Sequence, residues 1–185
     1  MRRLLVVLAL VACDRAGPEE EPPPDGSGTF QARADQVGGG GFEEMEGSAV
    51  FTETGGGGLV VRLESARSAG APTTLDLVLP AATEGSVGLG EPPAAALCYR
   101  SPVFPDGPYR TESGTLTVTT ATATELAGAL DGTAALEIPT GPDTSVRLRV
   151  EVEGTFRAAP GAVGVSASAI RRCGPDETGA ATAAR

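Results

Sequence analysis

From Val146 to Arg157 the chain alternates. Val146, Leu148, Val150, Val152 and Phe156 are apolar, and Arg147, Arg149, Glu151, Glu153 and Arg157 stand between them. Side chains on a strand point to its two faces in turn, so one face of this segment is apolar and the other charged. The segment is therefore expected to be a strand in a sheet with a single buried face. The same period recurs upstream. Phe30, Ala32 and Ala34 share a face in the stretch from Gly28 to Ala34. Leu59, Val61 and Leu63 oppose Arg62 and Glu64, and Leu75, Leu77 and Leu79 point inward with Asp76 outward.

Shorter or less regular strands fill the intervals. Ser48–Thr54 reads as a strand joined to Leu59–Ala66 through a glycine hairpin at residues 55–58. Pro80 ends the Thr73–Leu79 strand, because it cannot donate to a ladder. Ser86–Leu89, Ala95–Arg100 and Thr115–Thr120 follow, the last with Leu116 and Val118 inward. Leu126, Leu130, Leu136 and Ile138 fall on one face of a long strand that Gly128 and Gly132 can bend. Val163–Arg172 reads as the last strand. No segment carries a sustained helical period with caps. Roughly nine or ten strands with frequent turns imply an all-β domain, either a two-layer antiparallel β-sandwich or a closed barrel. Strands of unequal length with hairpin connections favour the sandwich.

The N-terminus is of another kind. Arg2 and Arg3 precede an unbroken apolar run from Leu4 to Ala12. That run is much too short to span a bilayer and has the proportions of a secretory signal peptide. It ends in Leu10-Val11-Ala12-Cys13. These four residues resemble the lipobox of bacterial lipoproteins, with Cys13 at the position of the invariant cysteine. The resemblance implies a diacylglyceryl group on the Cys13 thiol and cleavage before Cys13. Buried acyl chains contribute about 0.8 kcal/mol per CH₂, so two or three make a durable anchor. The alternative is an ordinary signal peptide with an incidental cysteine. Asp14 follows, and in some Gram-negative lipoproteins an aspartate there resembles an inner-membrane retention signal. Residues 1–12 are thus expected to be signal peptide. Residues 13–27, rich in Pro and Glu, would be the lipidated cysteine and an extended tether. Residues 28–173 would be the β domain and residues 174–185 a disordered tail.

Composition narrows the partners. Every basic residue is Arg, and loss of Arg2 and Arg3 would take the formal charge from −10 to −12. Phosphate backbones repel such a chain, so no nucleic-acid partner is expected. If Cys13 carries lipid, Cys98 and Cys173 remain as a pair, and an exported chain meets an oxidising compartment. A disulfide between them is expected, with two isolated buried thiols as the alternative.

A second resemblance spans most of residues 28–158. Gly28-Thr29-Phe30-x-Ala32 opens the domain, and Gly154-Thr155-Phe156-x-Ala158 lies near its close. Gly85-Ser86-Val87, a loop with Tyr109, and Ser113-Gly114-Thr115-Leu116-Thr117-Val118 come between. The order is similar to a loose group of small bacterial lipoproteins with β-sandwich domains of unknown function. It implies a fold and an address, not an activity.

The residues that most reactions need are missing. Without His or Lys, no Ser-His-Asp triad, Cys-His pair or Ser-Lys dyad can be built. No glycine pattern matches a phosphate-binding loop, and no cofactor is expected. Without imidazole, zinc and copper sites have too few ligands, so no metal site is assigned. Carboxylates are plentiful, which keeps open a hydrolase acting on an envelope polysaccharide. Glu43, Glu44 and Glu46 are the densest cluster and read as a solvated loop.

The best binding candidate is the segment from Cys98 to Arg110. It gathers Tyr99, Phe104 and Tyr109 with Arg100 and Arg110, the residue types that interface hot spots favour. The competing reading has the three rings fold back to plug the core, and the closely spaced prolines favour it. The expectation is a membrane-anchored envelope lipoprotein that displays a non-catalytic binding, structural or accessory domain. Its partners would be the membrane, through the lipid, and an envelope protein or glycan, in one version through an exposed sheet edge.

Overall fold

The computed structural model describes residues 28–39, 41–65, 71–90, 94–105 and 107–173. Cys13, the tether and the tail lie outside them. The elements in chain order are β1 (Gly28–Gln36), β2 (Phe42–Glu53), β3 (Leu59–Ser65), β4 (Thr73–Leu79), β5 (Gly85–Gly88), β6 (Ala96–Arg100), β7 (Tyr109–Ala121), β8 (Leu126–Gly141), β9 (Thr144–Pro160) and α1 (Ala167–Arg172). The all-β expectation holds, and so do the strands around Leu59, Thr73 and Val146.

The strands form one sheet in the order β5-β7-β6-β4-β3-β2-β1-β9-β8, and β7 also pairs with β8. That pairing runs from Arg110↔Ala135 to Ala121↔Leu126 and joins the two ends of the sheet. Eight antiparallel strands therefore close a barrel rather than stack as the two layers that the hairpin connections favoured. β5 is the ninth strand. It pairs with β7 at Thr115–Val118, on the edge where β6 pairs at Tyr109–Arg110. An eight-stranded barrel is just wide enough for side chains to fill it. Here the inward residues of every barrel strand make one cluster, with Phe30, Phe51, Leu63, Leu77, Leu116, Leu130, Val152 and Phe156 among its members. Each such side chain contributes about 1.5–3 kcal/mol when fully buried.

The repeated Gly-Thr-Phe-x-Ala segments meet in this wall. β1 and β9 run antiparallel with Phe30 opposite Phe156 and Ala32 opposite Gly154. A Cβ on Gly154 would lie 2.6 Å from the Ala32 Cβ, and one on Gly28 would lie 1.8 Å from the Arg157 carbonyl oxygen. Glycine at both places lets the backbones close around the phenylalanine pair.

The final strand expected at Val163–Arg172 is instead a short helix. Ser166 caps it by accepting from the Ala169 N–H at 3.2 Å. Val165, Ala169, Ile170 and Cys173 fall at helical spacing and cover Val60, Val78 and Cys98 on the outside of the barrel. The Val163/Val165 alternation mimics a strand, but the apolar outer side chains of β3 and β4 need a helix stripe to cover them. Cys98 and Cys173 form a disulfide with Cα atoms 5.3 Å apart. It holds the C-cap of α1, where Cys173 has a left-handed φ of 48°. Beneath this covered face Asp76 is fully buried. Arg62 Nε donates to its Oδ1 at 2.8 Å and Arg62 Nη2 to its Oδ2 at 3.1 Å, and Arg100 Nη1 reaches Oδ2 at 3.4 Å. Asp76 does point away from the barrel interior, yet it meets arginines rather than water.

The barrel has two unlike ends. One carries the start of β1 at Gly28 with the β2–β3 and β7–β8 connections. The other carries the β1–β2 and β8–β9 hairpins and the segment between β6 and β7.

Candidate functional site

The residues singled out between Cys98 and Arg110 collect at the end of the barrel away from Gly28. Tyr99 lies on β6 and Tyr109 on β7, directly opposite one another, so neither belongs to a loop. Phe104 folds back from the connecting segment. The ring centroids are 5.8 Å apart for Tyr99–Tyr109, 6.2 Å for Tyr99–Phe104 and 6.5 Å for Phe104–Tyr109. The pairs are tilted or edge-on, the arrangement aromatic quadrupoles prefer. All three rings are buried. They pack into the core cluster at this end of the barrel.

Sequence reasoning missed what surrounds the rings. Glu43 is not on a solvated loop. It belongs to β2, which begins at Phe42 rather than Ser48. Glu43, Met45, Ala49 and Phe51 point inward, whereas Glu44 and Glu46 face solvent. The Glu43 side chain is 3% exposed. Its Oε1 accepts from Thr73 Oγ1 at 2.7 Å, and its Oε2 accepts from Tyr99 Oη at 2.7 Å and from Ser101 Oγ. The phase of Glu43 with Met45 is the available signal, and the cluster of Glu43, Glu44 and Glu46 hides it.

Burial pushes the Tyr99 phenol well above its ordinary pKa, and the Glu43 carboxylate beside it adds to the shift. Burial also raises Tyr109. Both phenols therefore stay protonated, and Tyr99 stays a donor to Glu43. Ser101 Oγ in turn accepts from the Val103 N–H at 2.9 Å, which anchors the segment carrying Phe104. A carboxylate ringed by hydroxyl donors and sealed under aromatic rings is a structural core.

The two arginines divide. Arg100 is drawn to Asp76. Arg110 is exposed on β7 and faces outward beside a groove of about 490 Å³, whose walls include Pro108, Glu112, Ala135, Glu137 and Arg147. Glu112 reaches across β8 to β9, where it pairs with Arg147 and accepts from Arg149 Nε at 2.9 Å. Among the described residues no group of three or more Cys, Asp or Glu side chains could hold a metal ion.

No known protein family, no curated protein and no solved structure matches the chain.

Proposed function

We propose that this chain is a lipid-anchored protein of a bacterial cell envelope whose barrel acts outside the cytoplasm as a non-catalytic binding or structural module. The observation that carries the reading is Leu10-Val11-Ala12-Cys13 at the end of a signal-like apolar run. The Cys98–Cys173 disulfide supports it, since such bonds persist in oxidising compartments. So does the geometry of attachment. The tether would enter the barrel at Gly28, so the end that carries Glu43, the three rings and the Arg110 groove is the one away from the membrane-proximal attachment. The absence of His and Lys leaves few ways to activate a nucleophile. The test is Cys13→Ala. The variant is expected to remain an uncleaved precursor without acyl groups by intact-mass analysis. A cleaved, acylated Cys13→Ala protein would refute the anchor.

One observation favours a second reading, a polysaccharide hydrolase that works through carboxylates. A concavity of about 790 Å³ lies over β8, β9, β1 and β2, and Glu44, Glu46, Asp131 and Glu153 line it. Asp131, Glu153, Arg33 and Glu44 form one row across those strands. Neighbouring strands are about 4.8 Å apart, which brings carboxylates into the range glycosidases use. All four carboxylates are exposed, however, whereas the general acid of such a pair is desolvated. Release of soluble sugar from a peptidoglycan or capsular polymer that Glu153→Gln abolishes would establish this reading over the first.

A further inference from the structure

We propose that the groove where β7 and β8 part receives an extended peptide bearing an acidic side chain, which adds as a short strand to the open edge of β8 and places its carboxylate on Arg110. The proposal rests on the binding-module reading above and names the surface that would bind.

Three observations meet at this place. First, β7 accompanies β8 only as far as Arg110↔Ala135. From Leu136 to Gly141, β8 is paired with β9 alone among the described residues. An unpaired strand edge presents a row of N–H and C=O groups, which is what strand addition uses. Second, the edge is not flat and open like a bare sheet margin. It borders the 490 Å³ groove, with Pro108 and Arg110 on the far wall and Ala135 and Glu137 on the near one. That volume is within the range of binding clefts. Third, the Arg110 guanidinium is unengaged among the described residues. Arg147 is taken up by Glu112 and by Glu137 at 3.9 Å, and Arg149 by Glu112. Arg110 has no hydrogen-bond or ion-pair partner among the described residues, although its own row on the outer surface holds Cys98 and Ala135 on either side.

The combination selects the ligand. A free edge calls for a main chain, and a free guanidinium with small neighbours calls for a carboxylate. A glycan would not use the edge, and a simple anion would not need it. Pro139 has no N–H and limits the added strand to the residues before it, Leu136 to Ile138. Glu137 and Glu112 repel acidic residues elsewhere along the peptide, so a single acidic residue at the Arg110 end is favoured over an acidic run. The groove lies at the barrel end opposite Gly28.

The test uses purified protein and two probes, N-acetyl-Glu-Val-Thr-amide and N-acetyl-Thr-Val-Glu-amide, which place the acidic residue at one end of the added strand in either chain direction. Binding of the better probe is followed by amide shifts and by hydrogen exchange. The expected result is saturable binding with shifts at Arg110 and new protection within Leu136 to Ile138. A charge-assisted contact of this kind is expected to change affinity about tenfold or more. Arg110→Gln and replacement of the probe's Glu by Gln should each cause that loss, and the two together should cost little more than either alone. Lack of saturable binding up to about 1 mM would overturn the proposal. So would binding indifferent to Arg110→Gln, protection elsewhere on the barrel, or displacement by inorganic phosphate alone. An unchanged thermal melt for Arg110→Gln separates lost contact from lost fold. Acylation at Cys13 is read independently by mass, so failure of either claim leaves the other standing.

Discussion

Removing the buried carboxylate should unfold the aromatic end of the barrel before it disturbs anything else. In Glu43→Ala three hydroxyls, on Thr73, Tyr99 and Ser101, lose their acceptor within a region sealed from water. A hydrogen bond to a charged group contributes about 1.5–3 kcal/mol, and a stranded buried donor costs a similar amount. The three share one carboxylate, so their effects do not add. The expected loss is about 3–5 kcal/mol, a large part of the 5–15 kcal/mol typical of a whole domain. Glu43→Gln separates charge from acceptor. An amide oxygen at the Oε2 position keeps Tyr99 and Ser101, and the amide NH₂ can donate to Thr73, whose hydroxyl turns to accept. The loss should then fall to about 1–2 kcal/mol. The assay is equilibrium urea unfolding followed by far-UV circular dichroism, since the chain has no Trp. If Glu43→Ala lies within about 1 kcal/mol of the parent at an unchanged m value, the carboxylate does not hold this end together, and the reasoning fails.

The phenols predict alkaline lability. Their folded pKa values are raised, so their contribution is complete below the unfolded value near pH 10 and is lost as pH rises beyond it. Stability should fall there by up to about 1.4 kcal/mol per pH unit for each tyrosine, and Tyr99→Phe should remove about half of that slope. An unchanged slope in Tyr99→Phe would show that Tyr99 ionises freely. The disulfide closes a sequence separation of 75 residues. Chain-entropy reasoning gives about 4 kcal/mol for a loop of that size, so Cys98→Ala/Cys173→Ala should lower the urea midpoint accordingly. A change below about 1 kcal/mol would mean that α1 is held by its apolar face alone.

How much could be read in advance differs from element to element. β3, β4 and β9 are legible because every second side chain is apolar and points inward, even though Val60 and Val78 put apolar groups on the outer face as well, and alternation is a local property. β2 was cut short at its start because charge density outweighed phase. Glu43 is tolerable indoors only because hydroxyls 30, 56 and 58 residues away converge on it, and no window along the chain contains them. The C-terminal segment carries two periods at once. Val163, Val165, Ala167 and Ala169 suit a strand as well as Val165, Ala169, Ile170 and Cys173 suit a helix. The outer faces of β3, β4 and β6, which need covering, decide between them.

The sequence by itself determined that the chain is all-β and that one face of its long strands is buried. It also supplies the apolar run before Cys13 on which the proposed envelope address rests. It reduced the disulfide to one pairing, given a lipidated first cysteine. All of these follow from local period, residue type or count. Tertiary structure alone decided that the sheet closes on itself through β7 and β8, since any two complementary edges satisfy the same alternation. It also decided the fates of the five residues between Cys98 and Arg110. Tyr99, Phe104 and Tyr109 go inward, because closing a barrel leaves an end that aromatic volume must fill. Arg100 is drawn to a buried aspartate two strands' worth of sequence away. Arg110 is left exposed beside an edge that β7 leaves open.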